Sequence, residues 1–540
     1  MAAVSDDELL VLLGAVEAEE DEMAEVLQTL AARVKDPLAK QAAVCVDAFL
    51  DMAAPPTCTP ILDVRSPGEF AQGHIPGAQN LPLFSDEERA EVGTAYTRRS
   101  REAAMQIGMR HVRPKIEALV ATARAIARLP SSGAVSDTAK APVLAVHCWR
   151  GGMRSGSVAW LLRRQGMEVV TLAGGYKAFR SWVNSYWGDI AMPTRREKRS
   201  QKRIKQEGTE AVPEQTIELD QAADVKADAS EAPAATIAAA RAVPGPRVCI
   251  IGGRTGVGKT RVLHALSEQL GQRVLDLEGL AKHRGSTFGW VGQGGAAQPT
   301  TEHFANELAV AWSRLAKEES CNGNRGWLFI EDEDAHIGNV TLPAAVYAVL
   351  RCAPLVIRIN VGEAARIRLL VEDYTGSAAQ GDNPAIWLEG MQSSIRRLQK
   401  RLGGAAVQNL LKCLEDWDFE AVARALLGYY DKLYDLHVAN SGGTGSGSGR
   451  RPGCVVDVAQ ADDLDCIDAS GLARLILQRV TEFEMQESGQ TATVTSQETA
   501  ENAGRGSESS FWLRVNNLAR LVWPGPVGPS ARLARLAWPT

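Results

Sequence analysis

Cys148 heads the segment Cys148-Trp149-Arg150-Gly151-Gly152-Met153-Arg154-Ser155, which follows the apolar run Val143-Leu144-Ala145-Val146. A strand that delivers a cysteine into a tight loop opening a helix is a recurrent anion-binding arrangement. Gly151 and Gly152 let successive amides point inward, and the helix N-terminus adds positive potential. Both effects lower a thiol pKa, and Arg150 and Arg154 would reinforce them. The thiolate can then attack sulfur or selenium, and the loop stabilises the persulfide or perselenide anion that results. Ser155 is expected to cap the helix that begins there. A merely structural cysteine at a strand end would leave the two glycines and two arginines unexplained.

A second chemical segment, Gly253-Arg254-Thr255-Gly256-Val257-Gly258-Lys259-Thr260, follows Val248-Cys249-Ile250-Ile251. It matches the Walker A pattern in spacing and context, with the helical stretch Val262–Leu266 behind it. Backbone amides would cradle a diphosphate, Lys259 would neutralise it, and the Thr260 hydroxyl could hold Mg²⁺. The cradle specifies a polyphosphate and not a nucleotide. Few enzymes need both loops, so the pairing restricts function more than either half does.

Two further segments belong with the phosphate loop. Trp327-Leu328-Phe329-Ile330 reads as a strand ending in Glu331-Asp332-Glu333-Asp334, the position of a Walker B acid, with Glu331 the second candidate ligand for Mg²⁺. A solvated acidic turn is the competing reading, and which acid faces the loop is not legible. Between the two strands lies Asp276-Leu277-Glu278-Gly279-Leu280-Ala281-Lys282-His283-Arg284-Gly285-Ser286. Its density of charge and small residues is unlike a packing element. Glu278, His283, Arg284 and Ser286 are therefore candidates for a second site in this domain, with His283 and Arg284 placed to meet a phosphate.

The elements that must position these residues follow from the composition of the chain. At 540 residues it is too long for one core, so two or three domains are expected. Apolar strands alternate with helical stretches over 60–190 and again over 246–440, the pattern of two α/β domains. Residues 1–57 read as a helical extension, with an amphipathic helix over 5–34, and 58–192 as the first α/β domain. Residues 193–245 read as a flexible linker that opens on the basic run Arg195–Lys205. The second domain runs over 246–484, interrupted by a Gly/Ser-rich insertion near 441–451. Cys454–Asp457 and 464–482 are its expected last strand and helix, and 485–540 an expected disordered tail.

Net charge of -6 argues against non-specific coating of nucleic acid, though local basic surfaces for RNA remain open. Nine scattered cysteines form no CxxC pair, which points to reduced thiols. No apolar run approaches a membrane span, and the acidic N-terminus is wrong for a presequence. A cytoplasmic, soluble, intracellular enzyme is the expectation.

Upstream of the cysteine loop stand Asp63-Val64-Arg65, Glu69-Phe70, Gly73-His74-Ile75-Pro76-Gly77-Ala78 and Asn80-Leu81-Pro82. This set resembles the rhodanese family, in which Asp63 and Arg65 would be structural. With Asp86–Thr94, Ala173–Lys177, Asp276–Ser286, Ile337-Gly338 and Tyr429-Tyr430-Asp431, the chain from about 60 to 440 resembles the tRNA 2-selenouridine synthase family. The implied fold is a rhodanese-like α/β domain followed by a P-loop NTPase-like α/β domain. The implied transferase activity geranylates 2-thiouridine at the tRNA wobble position with geranyl diphosphate, then replaces the S-geranyl group with selenium from selenophosphate. No tightly bound cofactor is implied beyond Mg²⁺ at the phosphates. Cys148 would bind selenophosphate or carry selenium, and the P-loop would hold the diphosphate. Residues Arg195–Lys205 and Arg396-Arg397-Leu398-Gln399-Lys400-Arg401, the latter expected on one helix, are candidate tRNA contacts. The competing enzyme class is a thiosulfate-type sulfurtransferase fused to a regulatory nucleotide-binding module. Oligomeric state, tRNA identity and the place of a geranyl pocket are not legible.

Overall fold

Near-continuous apolar runs such as Leu144–Val146 and Val248–Ile251, each fully or almost fully buried, are the signature of parallel strands covered on both faces. The chain forms two such sheets. The computed structural model describes residues 43–128, 143–187, 247–291, 297–322, 326–379, 384–442, 454–460 and 466–487. The helix expected over 5–34, the linker with its basic start, most of the Gly/Ser insertion and the expected tail beyond 487 lie outside the described residues, while 485–487, read as tail, end a helix.

The first sheet takes β1 (Ala43–Val44), β2 (Ile61–Asp63), β3 (Ala78–Asn80), β4 (Val143–His147) and β5 (Glu168–Leu172) in the order β1-β5-β4-β2-β3, all parallel. Around it run α1 (Val46–Ala53), α2 (Pro67–Gln72), α3 (Asp86–Arg98), α4 (Arg101–Val112), α5 (Ile116–Ile126), α6 (Met153–Arg164) and α7 (Gly175–Tyr186). Residues 43–53, read from sequence as part of the extension, instead belong to this domain. β1 hydrogen-bonds to β5, and Phe49 of α1 is wholly buried. The acidic start of α3 is a capping box: Ser85 N–H donates to Glu88 at 2.8 Å, and Glu88 N–H donates to the Ser85 hydroxyl at 3.2 Å.

The second sheet has the order β12-β11-β6-β8-β7, again all parallel. Its strands are β6 (Arg247–Gly253), β7 (Arg273–Leu275), β8 (Trp327–Glu331), β11 (Leu355–Asn360) and β12 (Cys454–Ala459), while β9 (His336–Ile337) and β10 (Val340–Thr341) make a separate antiparallel pair. Its helices are α8 (Lys259–His264), α9 (Leu277–Ala281), α10 (Thr301–Asn322), α11 (Ala344–Arg351), α12 (Glu363–Ala379), α13 (Pro384–Arg397), α14 (Gln399–Leu402), α15 (Gly404–Glu415), α16 (Phe419–Gly442) and α17 (Ala469–Glu487). The basic segment expected on one helix is split between α13 and α14 by a break at buried Leu398. No described helix is long and apolar enough to cross a membrane.

Candidate active site

The cysteine loop leaves the centre of the first sheet, since β4 lies between β5 and β2. Its shape depends on a second glycine turn. Gly151 and Gly175 both have positive φ, +63° and +60°, and their backbones touch. A Cβ on Gly175 would lie 2.3 Å from Cys148 O and 2.4 Å from Gly151 N, so only glycine allows this approach. The two turns are fastened by Tyr176 N–H donating to Cys148 O at 2.8 Å and Lys177 N–H donating to Trp149 O at 2.9 Å. Among the described residues, the amides of Trp149, Arg150, Gly151 and Gly152 have no protein acceptor, which leaves them for an anion at the head of α6.

Cys148 itself is buried, with Sγ 3.2 Å from the Ser155 hydroxyl. Ser155 does not cap α6: Gly152 is the N-cap, and Ser155 stands three residues inside, its hydroxyl donating to Gly152 O at 3.3 Å. The glycine pair needed to turn the loop takes the capping position, which points the serine at the sulfur instead. Arg154 donates to Glu69 at 3.1 Å, and Arg89 also pairs with Glu69 at 3.0 Å. Burial pushes the Glu69 carboxyl up, but Arg154 and Arg89 outweigh it and hold the group below its usual range. Met153 Sδ meets Arg101 at 3.3 Å, while Arg150 and Trp149 are exposed.

Asp63 and Arg65 form a buried bidentate pair, and Arg65 also donates to Gly73 O at 2.7 Å and lies 3.7 Å from the Tyr176 ring centroid. They brace the sheet end behind the loop, the structural part the resemblance implied. Burial pushes the imidazole of His147 down to about 4, against the opposing pull of Asp63. It packs as a neutral ring against Phe49 and Tyr176.

The phosphate loop leaves β6, the middle strand of the second sheet, and passes into α8. Gly256 and Gly258 adopt φ of +80° and +77°, and the amides of Thr255, Gly256, Gly258, Lys259 and Thr260 have no protein acceptor among the described residues. Val257 N–H bonds back to Arg254 O, and Val257 is buried beneath the turn. Lys259 Nζ rests on Gly253 O at 3.3 Å. Arg254 is turned away from the cradle, its guanidinium held by Asp435 at 2.8 Å with Asp431 nearby.

The acids that sequence left unsorted are separated by the structure. Glu331 ends β8 beside β6, is almost fully buried, and accepts Glu278 N–H at 2.7 Å, with its other oxygen unpartnered. Thr260 donates to Glu278 Oε2 at 3.3 Å. Glu333 lies against Glu278, both within reach of the space a Gly285 Cβ would fill. Burial raises the Glu278 carboxyl, with Lys259 opposing. Burial and then Glu278 push Glu333 up to about 8, and burial followed by Asp276 and Glu278 raises Glu331 well above its ordinary value. Asp332 is not part of this group; it pairs with Arg351 at 2.8 Å.

The remaining candidates divide. His283 is buried behind the loop, its N–H on Glu278 O and its ring pressed close to Gly289 and Gly338. It packs the turn and does not face outward. Arg284 donates to Asp373 O at 3.0 Å beside the Tyr374 ring, and the Ser286 hydroxyl lies 3.3 Å from that of Tyr374. Sequence reading missed Arg366, which is buried, donates twice to Thr255 O at 2.9 and 2.8 Å, and pairs with Asp431 at 2.9 and 2.6 Å. The Tyr429–Asp431 motif was the visible half of that brace. Arg366 itself sits in an ordinary amphipathic helix and gives no local signal.

One helix connects the two sites. Tyr176, the residue after Gly175, donates its hydroxyl to Glu302 of α10 at 2.8 Å and accepts from Asn306 at 2.9 Å. Asn306 also donates to His74 O at 2.9 Å, and the His74 and His303 rings lie 3.9 Å apart. Trp187 meets Trp312 edge-on, and buried residues of both sheets form a single apolar cluster. Just before α10, Gln298 donates to Ala281 O and Ile337 O, both at 3.1 Å, anchoring the loop that carries Glu278.

Known families match both halves. Residues 46–181 match the rhodanese-like domain, and residues 246–460 match the tRNA 2-selenouridine synthase AAA domain. A tRNA 2-selenouridine synthase of Hydrogenovibrio crunogenus is 32% identical over 400 residues, covering 70% of this chain and 89% of that protein. Relatives of the same name from a Sulfurovum species and from Pseudomonas putida are each 31% identical, over 70% and 66% of this chain and 89% and 78% of theirs. With both domains matched in the same order and nearly the full length of such relatives covered, the chain belongs to the tRNA 2-selenouridine synthase family.

Proposed function

We propose that this chain is a tRNA 2-selenouridine synthase, a transferase working in two steps on one wobble uridine. In the first, the sulfur of 2-thiouridine attacks the allylic carbon of geranyl diphosphate, the carbon–oxygen bond breaks, and the uridine N3 proton is released. The diphosphate departs into the free amides of Thr255, Gly256, Gly258, Lys259 and Thr260, with Lys259 countering the charge that develops. In the second, selenium from selenophosphate adds at carbon 2, the geranyl thiolate leaves, and the phosphoryl group passes to water. The amides of Trp149–Gly152 and the Cys148 thiol would receive the selenium-bearing anion.

The observation that carries this reading is the shared core around α10. A sulfurtransferase with a detachable regulatory module would not need the cysteine loop's own neighbour, Tyr176, hydrogen-bonded into the phosphate-loop domain.

The acids fit a cation at the phosphates. Glu278, which Thr260 contacts, and its neighbours Glu331 and Glu333 all have raised pKa, and one Glu331 oxygen is unpartnered. No cage of three His, Cys, Asp or Glu side chains exists among the described residues. Mg²⁺ would therefore be held by the Thr260 hydroxyl, one acid and ligand oxygens, and would supply charge neutralisation.

The test is mass spectrometry of wobble uridines after incubating purified protein with thiolated tRNA, geranyl diphosphate and selenophosphate, each omitted in turn. Cys148→Ala should stop selenation while geranylation continues, and Lys259→Ala should abolish geranylation first. Normal geranylation by Lys259→Ala would overturn the assignment of the phosphate loop.

A further inference from the structure

Beside the phosphate loop the second domain has a partly open cavity with an almost wholly apolar wall. Thr255 of the phosphate loop and Ser286 of the loop after α9 contribute to its wall, which is otherwise built from Phe288, α12, α13 and α16. Gly256 abuts the same wall: a Cβ there would meet Leu370 at 3.1 Å. The cavity and the cradle thus share Thr255, which the Arg366–Asp431 brace holds in place.

The lining states what could occupy it. It includes no Asp, Glu, Lys, Arg, His, Asn or Gln side chain. Its few polar atoms include the Ser286 and Tyr374 hydroxyls, paired with each other, Thr375 bonded to Val371 O, Trp387 Nε1 bonded to Tyr374 O, and one unpartnered hydroxyl, that of Tyr430. A nucleobase or ribose buried here would lose its hydrogen bonds to water and recover few, a penalty of about 1–3 kcal/mol for each unpaired group. A hydrocarbon chain loses nothing and gains the burial of its whole surface.

We propose that this cavity receives the hydrocarbon tail of the diphosphate ester held in the phosphate loop, and that Ala423, Met391 and Leu427 set the length of tail accepted. This rests on the geranyl diphosphate reading given above and adds to it a place and a selecting surface. Ala423 is the smallest side chain of the wall and lies on α16; Met391 faces the cavity from α13.

The experiment measures steady-state prenyl transfer to thiolated tRNA from dimethylallyl, geranyl and farnesyl diphosphates, together with binding of inorganic diphosphate. It uses the full chain, Ala423→Phe and Met391→Ala, with thermal melting to verify folding. Ala423→Phe should raise KM for geranyl diphosphate roughly tenfold or more, the scale of one or two mismatched methylenes. It should spare dimethylallyl diphosphate and leave inorganic diphosphate binding unchanged. Met391→Ala, which removes volume and stays folded more readily, should improve farnesyl relative to geranyl transfer. If the wild type geranylates but neither variant alters the chain-length profile, the cavity assignment falls alone. If the wild type accepts no prenyl diphosphate at all, the cavity assignment and the donor assignment fall together.

Discussion

Ser155 has its hydroxyl 3.2 Å from Cys148 Sγ, within hydrogen-bonding reach of an anion formed on that sulfur. Ser155→Ala should slow selenation by about one to two orders of magnitude, the ~1.5–3 kcal/mol of a hydrogen bond to a charged group. Geranylation should be untouched, which single-turnover assays of each step would separate. Glu333 offers a test without substrate. Its carboxyl ionises near 8 in the fold against an ordinary 4.5, because burial and Glu278 disfavour its charge. Between those values the folded chain keeps a proton that the unfolded chain has released, so stability falls as pH rises from about 4.5 to about 8. Glu333→Gln should flatten that slope, its melting temperature gaining on the wild type at pH 8 relative to pH 5. Parallel melting curves across that range would contradict the burial of this acid.

At the scale of elements, the two glycine turns act as one part. Gly175→Ala would place a methyl 2.3 Å from Cys148 O at a positive φ, so the loop must move or α7 must shift. Selenation should be lost with the protein still folded, measured by near-ultraviolet circular dichroism alongside activity. Helices α13 and α14 offer a second test. Arg396, Arg397, Lys400 and Arg401 are exposed there, and Arg397 lies over the ring of exposed Trp290 at 5.9 Å. If this surface meets tRNA phosphates, Arg396→Glu with Lys400→Glu should weaken tRNA binding. The slope of log affinity against log salt should also fall by about 1 for each phosphate no longer neutralised. An unchanged slope would send the tRNA elsewhere.

For the molecule as a whole, Asn306 is the joint most open to test. It is fully buried and bonds Tyr176, His74 and Arg180, all from the other domain. Asn306→Ala should cost a few kcal/mol, at ~1–3 kcal/mol for each buried group left unpaired. It should also split thermal unfolding into two steps, seen by calorimetry, as the rhodanese-like and phosphate-loop halves lose their common core. A single cooperative transition of unchanged midpoint would show that the joint is incidental.

Motif chemistry is local, and for that reason much of it was legible in the chain. A strand, a glycine-bearing loop and a helix start are contiguous residues, so Cys148–Ser155 and Gly253–Thr260 announce themselves, as do the two α/β halves by their alternating apolar runs. What depends on side chains meeting across elements was not legible. Glu331 ends its strand and Glu333 turns toward Glu278, while Asp332 is drawn off by Arg351, a sorting set by contacts between distant elements. Arg254 was drawn off its own loop by Asp435, Ser155 was turned inward by the glycine N-cap, and residues 43–53 were claimed by an edge of the first sheet. The apolar cavity is assembled from helices more than a hundred residues beyond the loop it adjoins, each with an unremarked amphipathic pattern. The order of residues along the chain was enough to say which atoms could react. Which of them face one another was set by packing alone, because meetings between distant segments depend on how the elements stack.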